Sequence, residues 1–222
     1  DRTLVRRVLF EGTRAVGVEV ERDGTVEDLH ADQVLLCAGA IDTPGILLRS
    51  GIGPRRKLKQ LGVAPVAVNP NVGQRLLDHP GAAIFLVPRL GAGTSRKDEL
   101  IQTVCRFASG VNDFTNDILM QPGSSVPLPY IELPLVSVMI ALGKPKGVGQ
   151  LKYESADPHA SPRIESHLFD HPEDRRVAVE ALQRAYEVIR QEPCREMARI
   201  LWPRPVHLEN SDRLAEVLTT VC

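Results

Sequence analysis

Three groups of residues in this chain have types and spacings that could do chemistry. The first is the turn Gly39-Ala40-Ile41-Asp42-Thr43-Pro44, which follows the apolar run Val34-Leu35-Leu36-Cys37. A strand that ends in small residues and feeds a helix lets a ligand approach the backbone and offers it free helix amides. A tight strand-to-helix connection with no ligand has the same local pattern. The second is Asp78-His79-Pro80, whose paired acid and imidazole suggest a proton relay. Neighbours in an extended chain point to opposite faces, however, so the two need not interact, and His79 reads as a structural, hydrogen-bonded histidine. The third is His159, His167 and His171, in a stretch rich in Pro and Asp. Their spacing is not that of a metal site, and they read as solvated loop histidines.

Other chemistries are missing. Cys37, Cys105, Cys194 and Cys222 stand alone, with no CxxC pair. Metal-ligand spacing is therefore absent, and a disulfide framework is not expected, which points to a reducing, cytoplasmic setting. Cys37, inside its apolar run, reads as a buried, inert residue. No GxGxxG occurs anywhere in the 222 residues. Gly143–Gly149 is glycine-rich but lies between two strand candidates with no helical pattern after it. The chain is 43% hydrophobic and 25% charged, enough apolar material for one large domain or two modest ones. A net charge of -1 gives no reason to expect a nucleic acid or an anionic membrane as partner. No apolar run approaches the ~20 residues that span a bilayer. The chain opens on Asp1 and stops at Val221-Cys222 after an amphipathic stretch, and both ends read as cuts.

The elements that would position these residues follow from periodicity. Leu4–Phe10 and Ala15–Glu21 alternate and are joined by Glu11-Gly12-Thr13-Arg14, which predicts a hairpin. Asp23-Gly24 turns the chain into a third strand over Val26–Ala31, completing a meander. The continuously apolar Val34–Ala38 predicts a buried strand. Thr43 suits an N-cap and Pro44 a first helical position, for a short helix over Gly45–Ser50 closed by Gly51. Arg55–Leu61 is a second short helix, and the chain to Pro80 is extended. Arg89–Pro129 reads as polar and loop-rich. Leu133–Leu142 is a strand expected to pair antiparallel with strands from Gly149–Ser166. Pro172–Gln191 has helical periodicity, Trp202 is placed between helices, and Ser211-Asp212 opens a last helix.

The longer segment from Gly39 to Gly53 resembles the second signature of the glucose-methanol-choline (GMC) oxidoreductases. That pattern is Gly and a small residue, Ser/Thr-Pro, an aliphatic pair, then Ser-Gly-aliphatic-Gly. It is met here by Gly39-Ala40, Thr43-Pro44, Leu47-Leu48 and Ser50-Gly51-Ile52-Gly53. Asn71–Pro80 is similar to the family's VG-x-Asn-Leu-x-Asp-His stretch, with Arg75 in place of the usual Asn. Lys144-Pro145, Asp157-Pro158, Pro162-Arg163-Ile164 and Asp174 resemble the start of its C-terminal region. There Pro145–Gly149 departs from the customary Pro-x-Ser-Arg-Gly.

The resemblance implies an FAD-dependent alcohol oxidase or dehydrogenase, choline-dehydrogenase-like, of mixed α+β and α/β class. It implies part of a Rossmann-like FAD-binding domain over residues 1–79, with the meander, a buried strand and a helix. Residues 80–222 would be part of a substrate domain, an antiparallel sheet with packed helices. The main chain of Val5 would touch the adenine of the cofactor. Ala38, Gly39 and Ala40 would lie near the dinucleotide, and Thr43 would cap its helix or face the cofactor. The catalytic base of the family comes from a segment beyond the last helix, so no residue of this chain is assigned as catalytic. The implied partners are a small alcohol and an electron acceptor, whether oxygen, a quinone or another. The alternative is a non-catalytic flavoprotein remnant acting as a binding or interaction module.

Overall fold

The computed structural model describes residues 2–92, 95, 97, 99–128 and 131–221. Asp1 and Cys222, the two expected cut ends, lie outside the described residues. Along the chain, β1 (Thr3–Glu11), β2 (Arg14–Arg22) and β3 (Thr25–His30) precede α1 (Gly39–Arg49), β4 (Ile52–Gly53), α2 (Arg55–Gln60) and β5 (Ala67–Val68). Then come β6 (Gly81–Pro88), β7 (Cys105–Phe107), β8 (Ile118–Leu128) and β9 (Ile131–Leu142). The short β10 (Gln150–Lys152) and β11 (Arg163–Glu165) lead to α3 (Pro172–Ile189), α4 (Cys194–Met197), β12 (Ala198–Trp202), α5 (Pro205–Leu208) and α6 (Ser211–Val221). The architecture is mixed α and β with antiparallel sheets, as the resemblance implies.

Two compact units share the chain: Asp1–Leu77 with Val148–Ser166, and Asp78–Gly147 with His167–Cys222. A single boundary at residue 79 does not describe this, because Val148–Ser166 packs with the first unit.

In the first unit β1, β2 and β3 form the expected antiparallel meander. Helix α1 packs on β1, and α1, α2 and the returning segment enclose a small core of Leu48, Leu58, Val72, Leu151 and Tyr153. The returning segment is tied in by backbone bonds. Leu76 and Gly149 exchange both of theirs at 2.8 Å, and Leu151 donates to Gly73 O at 2.8 Å.

The buried strand expected at Val34–Ala38 is not formed. These residues have no ladder partner among the described residues, and Leu35 is 76% exposed. A continuous apolar run marks a central strand only where neighbouring strands flank it, and the described residues supply none. Cys37 is accordingly exposed rather than buried. Helix α1 starts at Gly39, not near Thr43, and Pro44 lies inside it.

In the second unit the sheet order is β12-β6-β9-β8-β7, with each neighbouring pair antiparallel. Strand β9 therefore pairs with β6 and β8. Strands β10 and β11 pair with one another in the first unit, which corrects the expected pairing of the 133–142 strand. Strand β8 crosses the stretch read as loop. Its Gln121-Pro122-Gly123-Ser124-Ser125 segment masks the strand pattern, because Pro and Gly ordinarily punctuate strands. Trp202, between helices α4 and α5 in the chain as expected, ends β12 and packs 6.3 Å from the Phe85 ring.

Helix α3 is built as its periodicity predicts. Val177, Ala178, Ala181, Leu182, Ala185 and Ile189 form one buried face against Ile84, Met120 and Ile140 of the sheet. Full burial of each Val, Leu or Ile contributes about 1.5–3 kcal/mol. At its start the His171 Nδ1 accepts from the Glu173 amide at 3.2 Å, and Pro172 needs no hydrogen-bond acceptor. Asp174, 2% exposed, accepts from the backbone amides of Lys146 (2.9 Å) and Gly147 (2.7 Å) and so fixes that glycine-rich turn.

Candidate functional site

The expected cofactor residues all fall in the first unit, around α1. The start of this helix has no side-chain cap: Ala38 is the N-cap residue and contributes no capping bond. The amides of Gly39, Ala40 and Ile41 therefore lack intrahelical acceptors. Gly39 adopts φ +83°, a conformation that L side chains rarely take, and a Cβ built there meets nothing within 4 Å. Pro44 has no N–H, so the Ala40 carbonyl loses its partner one turn on. Leu36, Cys37, Gly39, Ala40, Thr43 and Pro44 line a shallow concavity over this turn. Thr43 is half-buried within the helix and lines this concavity, and it does not cap the helix.

Charge limits what the turn accepts. Asp42 stands in the first turn, where its carboxylate complements the helix dipole. An anionic phosphate beside it is disfavoured. The turn thus offers its free amides to a neutral, polar group rather than to an anion.

Two residues at the other end of α1 dock it onto β1. A bulge between Val5 and Arg7 turns the local carbonyls away from the β2 ladder. Arg49 Nε donates to Arg6 O at 2.6 Å, and Arg49 Nη2 to Val5 O at 3.3 Å. Burial pulls the Arg49 guanidinium below its usual pKa. Buried Ser50 bridges the same joint: its Oγ accepts from the Val8 amide at 2.8 Å and donates to Ile46 O at 2.6 Å. The guanidinium of Arg49 reaches back beside Gly45. Val5 O therefore lies along the middle of α1, roughly 9 Å along the axis from Gly39 at about 1.5 Å per residue. The structure brings Ala38, Gly39, Ala40 and Thr43 together, and sets Val5 apart along the same helix.

A third clamp comes from Tyr153, 5% exposed, whose hydroxyl donates to Ile41 O. Only glycine fits at position 45, since a Cβ there would stand 2.9 Å from the Tyr153 ring. Burial, then the nearby Asp42 carboxylate, push the Tyr153 phenol up to about 12, so it remains a neutral donor.

Arg49, Ser50 and Tyr153 were not read as positioning residues from sequence. Arg49 and Ser50 lie inside the signature but look like its helical tail, and nothing local links Tyr153 to Ile41. Across the β1–β2 pair, Arg6 pairs with Glu21 (2.6 Å) and Glu19 (3.0 Å), and Glu19 also takes Arg7 (2.9 Å). These contacts hold both carboxyls below the usual carboxylate range.

The histidines are placed structurally. His79 Nδ1 lies 2.7 Å from Leu142 O, so that nitrogen carries the proton and donates, while the Asp78 carboxylate accepts from the His79 backbone amide. The two side chains form no relay. His167 pairs with Asp170 at 2.8 Å, and His159 lies 3.4 Å from Glu21. Among the described residues no three or more metal-type ligands converge. Also among them, no helix is long and apolar enough to cross a membrane.

Comparison with known proteins bears on the same stretch. Two family models, both described as GMC oxidoreductase, match residues 1–81 and 145–220. A GMC-type oxidoreductase of Rhodococcus erythropolis, itself uncharacterized, is 33% identical over 190 residues, covering 83% of this chain and 36% of that protein. The 5-(hydroxymethyl)furfural oxidase of a Methylovorus strain is 33% identical over 175 residues, covering 77% and 32%. The crystal structure of pyridoxine 4-oxidase from Mesorbium loti superposes with a TM-score of 0.84 at 21% identity, covering 97% of this chain and 44% of that one, a likeness of fold. The chain thus spans about a third of the length of these curated relatives.

Proposed function

The chain belongs to the GMC oxidoreductases, a family whose cofactor is FAD, and from that premise we propose that the whole protein oxidises the CH–OH group of a small alcohol. The observation that carries this is the start of α1: an uncapped turn with a left-handed Gly39 and open space above it, inside the stretch the family model matches. When bound, the flavin supplies the hydride acceptor. The residues of this chain that would hold it are Gly39 and Ala40, whose amides would donate to its polar groups, with Ala38 leaving room for it and Thr43 offering a hydroxyl. The Val5 main chain would meet its adenine. Arg49, Ser50 and Tyr153 set α1 against β1 so that these groups keep their spacing.

The first unit then serves the cofactor, and the five-stranded sheet of the second serves the substrate. The relatives' printed names favour a primary alcohol on a small carbon skeleton, with oxygen, a quinone or another acceptor taking the electrons. None of the six histidines is assigned as the base, because those that are placed with partners hold loops and helix ends.

The test is the visible spectrum of the protein purified from its native gene. Flavin released on denaturation, and bleached anaerobically by a primary alcohol before denaturation, supports the assignment. A colourless protein, or a flavin that no alcohol bleaches, overturns it. The 222 residues expressed by themselves are expected to lose added FAD on desalting, since they carry no GxGxxG turn for the pyrophosphate.

A further inference from the structure

The second unit contains an apolar cavity that the proposed reaction does not use. It arises because the sheet outlasts the helix that covers it. Residues of β6, β9 and β8 that face α3 form successive cross-strand rows. Ala82, Ile140 and Met120 make one, Ile84, Val138 and Pro122 the next, and Leu86 and Val136 a third. Helix α3 ends at Ile189, and the chain then turns through α4 into β12. The last rows reach past the end of α3 and are only partly covered by Val188, Ile189 and the Cys194 and Met197 side chains of α4. The result is a cavity of about 310 Å³ floored by Leu86, Met120, Pro122, Val136 and Val138. Val188 and Met197, each 50% exposed, and the exposed Cys194 line it on its solvent side.

The lining states the chemistry of an occupant. No charged side chain lines the cavity among the described residues. The side-chain polar groups are the Cys194 thiol and the Ser124 hydroxyl, and the latter already accepts from Gln102 at 3.2 Å. Water needs two to four polar partners to stay, which this lining does not offer. Protein interiors rarely keep voids larger than a water molecule, and a dry apolar cavity of about half this volume is enough to take up benzene. We propose that this cavity is a binding site for a small, uncharged, apolar molecule of monocyclic-arene size. It is entered between Val188 and Met197 beside Cys194, on the α3-covered face of the sheet. Its occupation would fix the end of α3 against β12, because the ligand fills space that neither element fills.

The test uses the purified protein with any bound flavin retained, titrated with toluene and separately with benzoate, and followed by ligand-observed NMR. Saturable toluene binding is expected. Benzoate, the same ring with a carboxylate, should bind at least about tenfold more weakly because no cation among the described residues lines the cavity to offset its desolvation. Toluene should also slow alkylation of Cys194 by a maleimide in proportion to occupancy. Val138→Trp fills the floor and should abolish toluene binding. Cys194→Trp, a change at an exposed rim that leaves the core alone, should do the same by closing the mouth if the first variant fails to fold. Absent toluene binding, equal binding of benzoate, or binding that survives Cys194→Trp would overturn the proposal.

Discussion

Ser50 offers the sharpest test of how α1 is held. Its hydroxyl makes two bonds in a region where Ser50 and Val8 are each 5% exposed. The two bonds are not equivalent. Ile46 O also receives the Ser50 amide at 3.0 Å, so it keeps a partner if the hydroxyl is removed. The Val8 amide, on the edge of β1 away from β2, loses the acceptor that Ser50 provides. Leaving a buried amide unsatisfied costs about 1–3 kcal/mol. Relief from burying the hydroxyl itself offsets part of this, so Ser50→Ala should destabilise by about 1–2 kcal/mol. For a chain of this size that lowers Tm by about 2–8 °C. Thermal melts followed by far-UV circular dichroism, with urea unfolding as a check, measure it. A loss under about 0.5 kcal/mol, the size of an ordinary surface substitution, would refute the reasoning. It would mean that the Val8 amide is satisfied without Ser50, and that Arg49 alone seats α1 on β1.

Other expectations follow from the same structure. Gly39→Ala should cost about 1–2 kcal/mol from its left-handed conformation, while Gly39→Val in the protein purified from its native gene should also lower flavin retention, read as flavin per protein after desalting. The Tyr153 phenol is raised from the ordinary 10 to about 12 in the folded chain. Its neutral form is therefore favoured by folding, and the stability it contributes is full below about pH 10 and is lost as pH rises towards 12; Tyr153→Phe should flatten that alkaline limb in urea titrations. Asp174→Asn should destabilise the second unit by about 1.5–3 kcal/mol, because a buried carboxylate that accepts two backbone amides becomes an amide with one acceptor atom. Hydrogen exchange at Lys146 and Gly147 should then quicken, and unchanged exchange there would discount the role given to Asp174.

The elements most legible in the sequence were those whose evidence is local. Val177, Leu182, Ala185 and Ile189 mark one face of α3 with no help from the rest of the chain. The meander is marked by Gly12 and Asp23-Gly24 between alternating strands. What was misread depended on distant partners. Val34–Ala38 has the composition of a central strand, but no ladder forms there among the described residues. Leu133–Leu142 was recognised as a strand, yet its neighbours β6 and β8 are chosen by sheet topology, which composition does not encode. Strand β8 was hidden by Pro122 and Gly123. At the candidate site, Gly39 and Thr43-Pro44 were legible as a signature, but Thr43 does not cap. The joints made by Arg49, Ser50 and Tyr153 join residues far apart in the chain, and no spacing rule reveals them.

The return of Val148–Ser166 to the first unit has a consequence for synthesis. Leu151 and Tyr153 complete the small core with Leu48, Leu58 and Val72, and Tyr153 also holds Ile41. Residues up to Leu77 therefore leave the ribosome with that core unfinished, and the intervening stretch to Gly147 belongs to the other unit. At about 5–20 residues per second, the wait for Val148 lasts several seconds. During that interval Leu48 and Leu58 lack part of their cover, and the nascent chain presents a sticky surface of the kind that chaperones engage. A ribosome paused before Val148 should carry a chain whose α1 region remains open to protease, and one stalled well past Ser166 should not.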